Sequence, residues 1–245
     1  MLTITLSPAP ADDSCRAGPG YAGVMVAMTV SDALAELAAL EDPKARAVNE
    51  RHGDAHGVNL SKMRALAKRI GMSTAFAREL WDTDDVAGQL LAVLIAKPRE
   101  LTADEIDRML RTTRSAKAHD WLVNYIAKKS PLAEELRLRW FDDADADARA
   151  AAWSLTSVRV AKDPSGLDLD GLLDRIEREL RDAPSREQWA MNETLAYIGI
   201  HHPALRERAL EIGERLQVLA DYPTPPNCTS PFAPLWIAEM VRRQG

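Results

Sequence analysis

The chain has 245 residues, of which 46% are hydrophobic and 28% charged, and a formal net charge of −6. That is ample for one large domain or an elongated array with a real core. It excludes a chain that is basic all over, though not a local basic face, because association responds to local potential.

Residues 1–28 are rich in Pro, Gly and Ala and show no amphipathic period. They lack the basic and apolar regions of a secretory signal. They read as a disordered N-terminal extension that adds no stability, with Met25 or Met28 the better start. The glycines of "GPGYAG" have neither a strand nor a Lys-Ser/Thr pair beside them, so they make no phosphate loop. Residues 29–245 are expected to form one domain.

From Ser31 onward the pattern is helical almost without break. Ser31 can cap "DALAELAAL", with Leu34, Leu37 and Leu40 on one stripe. Pro43 suits the first turn of the next helix, which stops at Gly53. "LSKMRALAKRIG" carries Met63, Leu66, Ala67 and Ile70 at helical spacing and ends at Gly71. "STAFARELW" follows, capped by Ser73, then "DVAGQLLAVLIAK", closed by Pro98. Thr102 and Glu105 spell a capping box. Further helices are expected at about 118–128, 131–141, 145–161, 168–182, 186–200, 204–219 and 233–243. No segment alternates as a strand does.

Helices of this length joined by short turns predict an all-α superhelix of stacked HEAT-like pairs, with a period of roughly 35–45 residues. A compact helical bundle is the competing architecture. The cations gather in acid-poor stretches. Lys62, Arg64, Lys68 and Arg69 lie in one, Arg108, Arg111, Arg114 and Lys117 in another, and Lys128 and Lys129 follow. Such faces suit a phosphate-tracking surface, or they are ordinary solvated faces. Acids concentrate elsewhere, as in "FDDADAD".

Cys15 and Cys228 make neither a disulfide framework nor a metal ligand set, which points to a reducing, cytoplasmic setting. No apolar run is long enough to span a bilayer. His52 and His56 are four apart, but Gly53 and Gly57 place them in a loop, against a helical two-histidine zinc site. His201 and His202 precede Pro203 at a helix junction, as turn histidines do. Most of the six tryptophans are expected to anchor the core. "KAHDWLVNYIAKKSP" sets Asp120, Trp121, Asn124 and several cations on one helix. Asp120 and Asn124 are i,i+4 and share a face; Trp121 is rotated about 100° away.

Several stretches together resemble the AlkD-like family of DNA alkylation-repair proteins. They are "RHGDAHGVNLSKMRALAKRIG", "ARELWDTDDVAGQLLAVLI", the helix at 117–128 and "RAAAWSL". The resemblance implies an α-solenoid of HEAT-like repeats whose basic concave face holds duplex DNA. It implies release of N3- or N7-alkylated purines, with no metal and no cofactor. A carboxylate would stabilise the sugar cation or activate water, indoles would contact the sugar or lesion, and an arginine would hold phosphate. Transferred residue by residue, the family's Trp falls at Asp120 and its catalytic Asp at Asn124. The phosphate-binding arginine falls at or beside Arg149, and the second aromatic near Tyr197. After Trp81, the family's Glu and Arg positions hold Ala87 and Gln89. The ending "CTSPFAPLWIAEMVRRQ" resembles the C-terminus of a subgroup of the family.

Loss of one unit charge about 4 Å from a developing cation costs roughly 4 kcal/mol at an effective dielectric near 20, about a thousandfold in rate. The expected function is therefore duplex DNA binding with weak or absent base excision. Lys68, Arg69, Arg111, Arg114 and Arg149 are the DNA-contact candidates, and Trp121 and Tyr197 the aromatic contacts. Asp120 either takes over the vacated carboxylate role or pairs with Lys117 or Lys128 on a relic surface. The alternative function is a non-enzymatic helical scaffold for a protein partner.

Overall fold

A computed structural model describes residues 28–244. The expectation for the N-terminal extension falls outside them, except that Met28 packs, half-buried, against the core. Thirteen α-helices and no named strand occur among the described residues: α1 (Val30–Ala39), α2 (Pro43–Glu50), α3 (Leu60–Ile70), α4 (Thr74–Trp81), α5 (Val86–Ile95), α6 (Ala103–Arg111), α7 (Ala116–Trp121), α8 (Ala133–Trp140), α9 (Ala146–Lys162), α10 (Leu169–Glu179), α11 (Ser185–His201), α12 (Arg206–Leu216) and α13 (Ala233–Gln244). None is long and apolar enough to cross a membrane.

Local chemistry sets the ends. Asp42, Asn59, Ser73, Asp85, Thr102, Ser115, Asp145 and Asp168 each accept a backbone N–H of the helix they open, filling donors that have no partner within the helix. The cap of α1 is Thr29, not Ser31: Thr29 and Asp32 form a reciprocal capping box, so Ser31 already lies inside the helix. Gly71 ends α3 with φ of 79°, a conformation that costs glycine nothing.

The helices pair as α4 with α5, α8 with α9, α10 with α11 and α12 with α13, and the pairs stack through α9 on α11 and α11 on α13. This is the helical superhelix expected from the sequence, not a compact bundle. Apolar side chains gather into two clusters, one from Ala33 of α1 to Leu155 in the middle of α9, the other from Trp153 to Ile237. α9 belongs to both. Its Ala148, Ala150, Ala151 and Ala152 are essentially fully buried, and such short side chains let neighbouring backbones approach closely.

Arg175 closes the waist between the clusters. Its guanidinium lies 4.6 Å from the Phe141 ring centroid and 5.7 Å from that of Trp153. It also donates to Asp142 (2.6 Å), Glu179 (2.9 Å) and the Phe141 carbonyl (3.2 Å). Aromatic faces attract the cation while the carboxylates take its N–H groups.

Two glycines seat the last helix. A Cβ on Gly199 would lie 2.5 Å from Ile237 Cδ1, and one on Gly213 would lie 2.7 Å from Pro234 Cδ and Cγ. Because the proline ring cannot swing away, Gly213→Ala is expected to lower stability by about 1–3 kcal/mol, read from the denaturant midpoint.

Acid should also loosen the array. Arg78 holds the Glu105 carboxyl down to about 2, and Arg111 holds that of Asp143 down to about 2. Both carboxyls ionise more readily folded than unfolded, so their stabilisation is complete above the ordinary carboxylate range and fades as pH falls toward about 2. Denaturant midpoints measured from about pH 5 downward should fall, and Arg78→Ala should flatten part of that fall.

Candidate functional site

The segment after α7 is not the single α-helix expected at 118–128. Leu122–Ile126 form a π-helical turn and Ala127–Lys129 a 3-10 turn. Leu122, Val123, Ile126 and Ala127 are buried, so the widened turn is held by its apolar side. Single π turns of this kind occur often at functional sites. Here two polar rows result. Asp120, Asn124 and Lys128 face one cleft. Trp121, Tyr125 and Lys129 form the other row: the two rings meet edge-on at 5.5 Å, and Lys129 Nζ lies 5.0 Å from the Tyr125 centroid.

The cleft has a volume of about 440 Å³. Ala150 and Ser154 of α9 contribute one wall, and Arg186, Trp189 and Glu193 of α11 another; Tyr222 enters from the loop after α12. Arg186, Trp189, Glu193 and Tyr197 recur every three or four residues on a helix whose other positions are mostly buried. That stripe could be read in the sequence, and it carries the cleft residues that were not anticipated there. Tyr222 could not be read so, because it depends on the course of the loop.

Asp120 is well exposed, with its side chain 59% accessible. Its carboxylate lies 3.8 Å from Arg186 Nε and 3.5 Å from Nδ1 of buried His119. His119 Nε2 lies 3.1 Å from the Asp147 carbonyl, to which only a protonated nitrogen can donate. Arg186 also bonds the Asp147 carboxylate. Asp120 does not pair with Lys117, whose ammonium lies 2.6 Å from buried Asp54. The Asn124 amide donates to the Asp120 backbone carbonyl at 2.8 Å. The cleft thus offers two carboxylates: Asp120, solvated, attended by a guanidinium and beside the Asn124 amide, and Glu193, which accepts from the Ser157 hydroxyl at 3.2 Å.

The remaining sequence candidates lie elsewhere. Trp121 is half-buried outside the cleft, beneath the Arg64 guanidinium at 5.2 Å. Tyr197 is covered by Trp236, ring centroids 5.8 Å apart, and burial pushes its phenol pKa up. Arg149 is a clamp: it grips buried Glu187 at 2.8 and 2.9 Å and donates to the Asp143 and Ala144 carbonyls at 2.8 and 2.9 Å. Its donors are thereby committed within the fold. Gln89, fully buried, donates to the Thr112 carbonyl and accepts from the Arg114 backbone. Ala87 is buried as well.

The acid-poor runs are not free in space. Arg69 pairs with Glu36, and Arg108 with Asp82. Arg111 is enclosed by Asp107, Asp143 and Asp145, and Arg114 is held by both oxygens of Asp84. Among the described residues, Arg64, Lys68, Lys128 and Lys129 have no carboxylate within ion-pair distance. Arg64 and Lys68 are one turn apart on α3 and share a face, which Arg64 joins to the Trp121–Tyr125 row. No cluster of His, Cys, Asp and Glu among the described residues could hold a metal ion. His56 is buried in the loop before α3, and its burial pushes its pKa down.

Fold and cleft together define a helical-repeat protein with a polar, aromatic-rimmed site where α7, α9 and α11 meet. The family model described as DNA alkylation repair enzyme matches residues 33–236, and the chain belongs to that family. One solved structure is described as a new family of proteins related to the HEAT-like repeat DNA glycosylases with affinity for branched DNA structures. It superposes with a TM-score of 0.71 at 21% identity, over 89% of this chain and 95% of that one. At that identity the likeness concerns the fold. Comparison with curated proteins gives no significant match.

Removing Arg149 should leave the Glu187 carboxylate, 4% exposed, without its partner. Arg149→Ala is expected to cost about 3 kcal/mol in denaturant unfolding. Lys128→Ala, at a cation with no such partner, should stay within about 0.5 kcal/mol of wild type.

Proposed function

We propose that this protein binds DNA along the α3–α7–α11 surface and has weak or no base-excision activity. The observation that carries the reading is the set of cations without ion-pair partners: Arg64 and Lys129 lie on the Trp121 and Tyr125 rings, Lys68 lies one turn from Arg64, and Lys128 lies in the cleft. Cations that are not neutralised within the fold can exchange counterions for phosphates. Aromatic rings among them suit nucleotides whose bases are unstacked. The affinity for branched DNA of the structurally similar protein supports junctions as the preferred substrate, with duplex DNA bound more weakly.

Two features of the cleft support weak excision. The position matched to the family's catalytic Asp holds Asn124, which cannot accept a proton from water. Asp120 is near, but Arg186 partly offsets its charge, and a positive charge there opposes an oxocarbenium-like sugar.

Binding to a three-way junction and to duplex DNA should be measured across a salt series. Alanine at Arg64, Lys68, Lys128 and Lys129 together should weaken both and flatten the log–log slope by about 0.9 per lost phosphate contact. The same change at Arg111 and Arg114 should leave the slope nearly unchanged. Absence of salt-dependent binding by wild type would overturn the reading in favour of a protein-partner scaffold.

Release of alkylated purine should be assayed for wild type, Asp120→Ala and Asn124→Asp. Little release is expected from wild type. Asn124→Asp should raise any basal release, by less than the thousandfold Coulomb limit, because the amide bond to the Asp120 carbonyl is lost. Robust wild-type release abolished by Asp120→Ala would instead make Asp120 the working carboxylate.

A further inference from the structure

Beyond the cleft, on the other side of the Trp189–Tyr222 pair, the loop after α12 encloses a second cavity of about 330 Å³. Trp189, Tyr222 and Trp236 line it with Pro225 and Pro231 and with the hydroxyl residues Thr224, Thr229 and Ser230. No charged side chain lines it. Trp189 and Tyr222 line both cavities and meet edge-on at 5.2 Å. Each is an exposed large aromatic side chain, 40% and 46% accessible, in a molecule whose Trp81, Trp140 and Trp153 are fully buried.

The pocket is built, not an accident of a loose loop. Buried Asn192 donates to the Pro231 carbonyl at 2.8 Å and ties the loop to α11. Gln217, Leu219 and Asn227 hold left-handed backbone, with φ of 56°, 62° and 66°. For leucine that conformation is disfavoured and persists only where the surroundings enforce it. The Tyr222 N–H donates to the Leu219 carbonyl at 3.2 Å, so the strained turn places the ring directly.

We propose that this pocket receives one unpaired, unstacked nucleobase of bound DNA, an inference that rests on the DNA-binding reading above. The charge pattern argues for that occupant. The adjoining cleft is charged, with Lys128, which has no carboxylate partner, as its candidate for a phosphate beside Arg186, Asp120 and Glu193; the pocket presents uncharged aromatic faces, which suit a neutral planar ring. Its volume lies at the low end for small-molecule sites, room for a single base and not for a base pair. Hydroxyls in the lining can meet the polar edge of a base. The Trp189–Tyr222 partition then separates the base from its own backbone.

The test compares a three-way junction carrying one unpaired adenine at the branch with the same junction carrying an abasic residue there. Wild type is expected to bind the abasic junction roughly tenfold more weakly, the effect of one base–aromatic stack. Trp189→Ala should bind both alike, and Trp189→Phe should keep most of the preference. Cys228, exposed at the pocket, gives a second readout in a Cys15→Ser background: the adenine junction should slow its alkylation by iodoacetamide, and the abasic junction should not.

Equal wild-type affinity for the two junctions, with Cys228 alkylated equally fast in both complexes, would overturn the pocket and leave DNA binding standing. So would an equal loss for both junctions in Trp189→Ala. Protection of Cys228 by raised protein concentration without DNA would assign the pocket to a second copy of the chain. If no DNA binds even at low salt, the functional reading itself fails and this inference with it.

Discussion

The seam between α9 and α11 governs this molecule. The alanines of α9 let the two helices lie close, and polar bonds fix them lengthwise. Arg149 grips Glu187 near one end, the Thr194 hydroxyl donates to the Trp153 carbonyl at mid-length, and the Ser157 hydroxyl donates to Glu193 beyond it. Each bond joins positions 36 to 41 residues apart, so together they set register as well as proximity. The Arg149 grip weighs most, because a slip would leave buried Glu187 without its partner, whereas the Thr194 and Ser157 hydroxyls also reach carbonyls of their own helices at 3.0 Å. The two core clusters meet on α9, and the cleft opens along the same seam. Its shape therefore follows from the packing that joins the two halves of the array.

Much of the architecture was legible because helices announce themselves locally. Caps, glycine stops and 3.6-residue spacing located the elements to within a few residues, and the absence of alternation excluded strands. Where the structure departs from that reading, one cause is local and one is not. Ser31 competed for the cap of α1 and lost to Thr29, which has Asp32 to complete the box. The π turn at Leu122–Ile126 leaves no mark in composition; it follows from how its apolar side seats in the core.

The charges teach the same point more sharply. Arg108, Arg111 and Arg114 have no acid after Asp107 in their stretch of sequence, yet Asp82, Asp84 and Asp143 reach them from other elements. Charge segregation along a chain is thus a poor guide to charge segregation on a surface when helices stack. Lysines on α3 and in the turn before α8 escaped this pairing; most of the arginines did not. Tyr222 was obscured for a related reason, since its place depends on the course of a loop, whereas Trp189 lies on the legible stripe with Arg186 and Glu193. Taken singly, an indole on a mostly apolar helix reads as core; its spacing with Arg186 and Glu193 is the signal that this one borders open space.

The closed lattice of arginine–carboxylate pairs also bears on how a polyanion is met. Opposite charges held a few ångströms apart form short-range multipoles whose fields die away within a few molecular contacts, faster still in physiological salt. What survives at a distance is the net charge of −6, which repels. Encounter with nucleic acid would then lack the long-range steering that lifts association toward the diffusion limit, and nonspecific duplex would hold the protein only briefly. On the DNA-binding reading proposed above, such a molecule would search by collision and release, and dwell where the local geometry lets its unpaired cations and its aromatic rings engage at once.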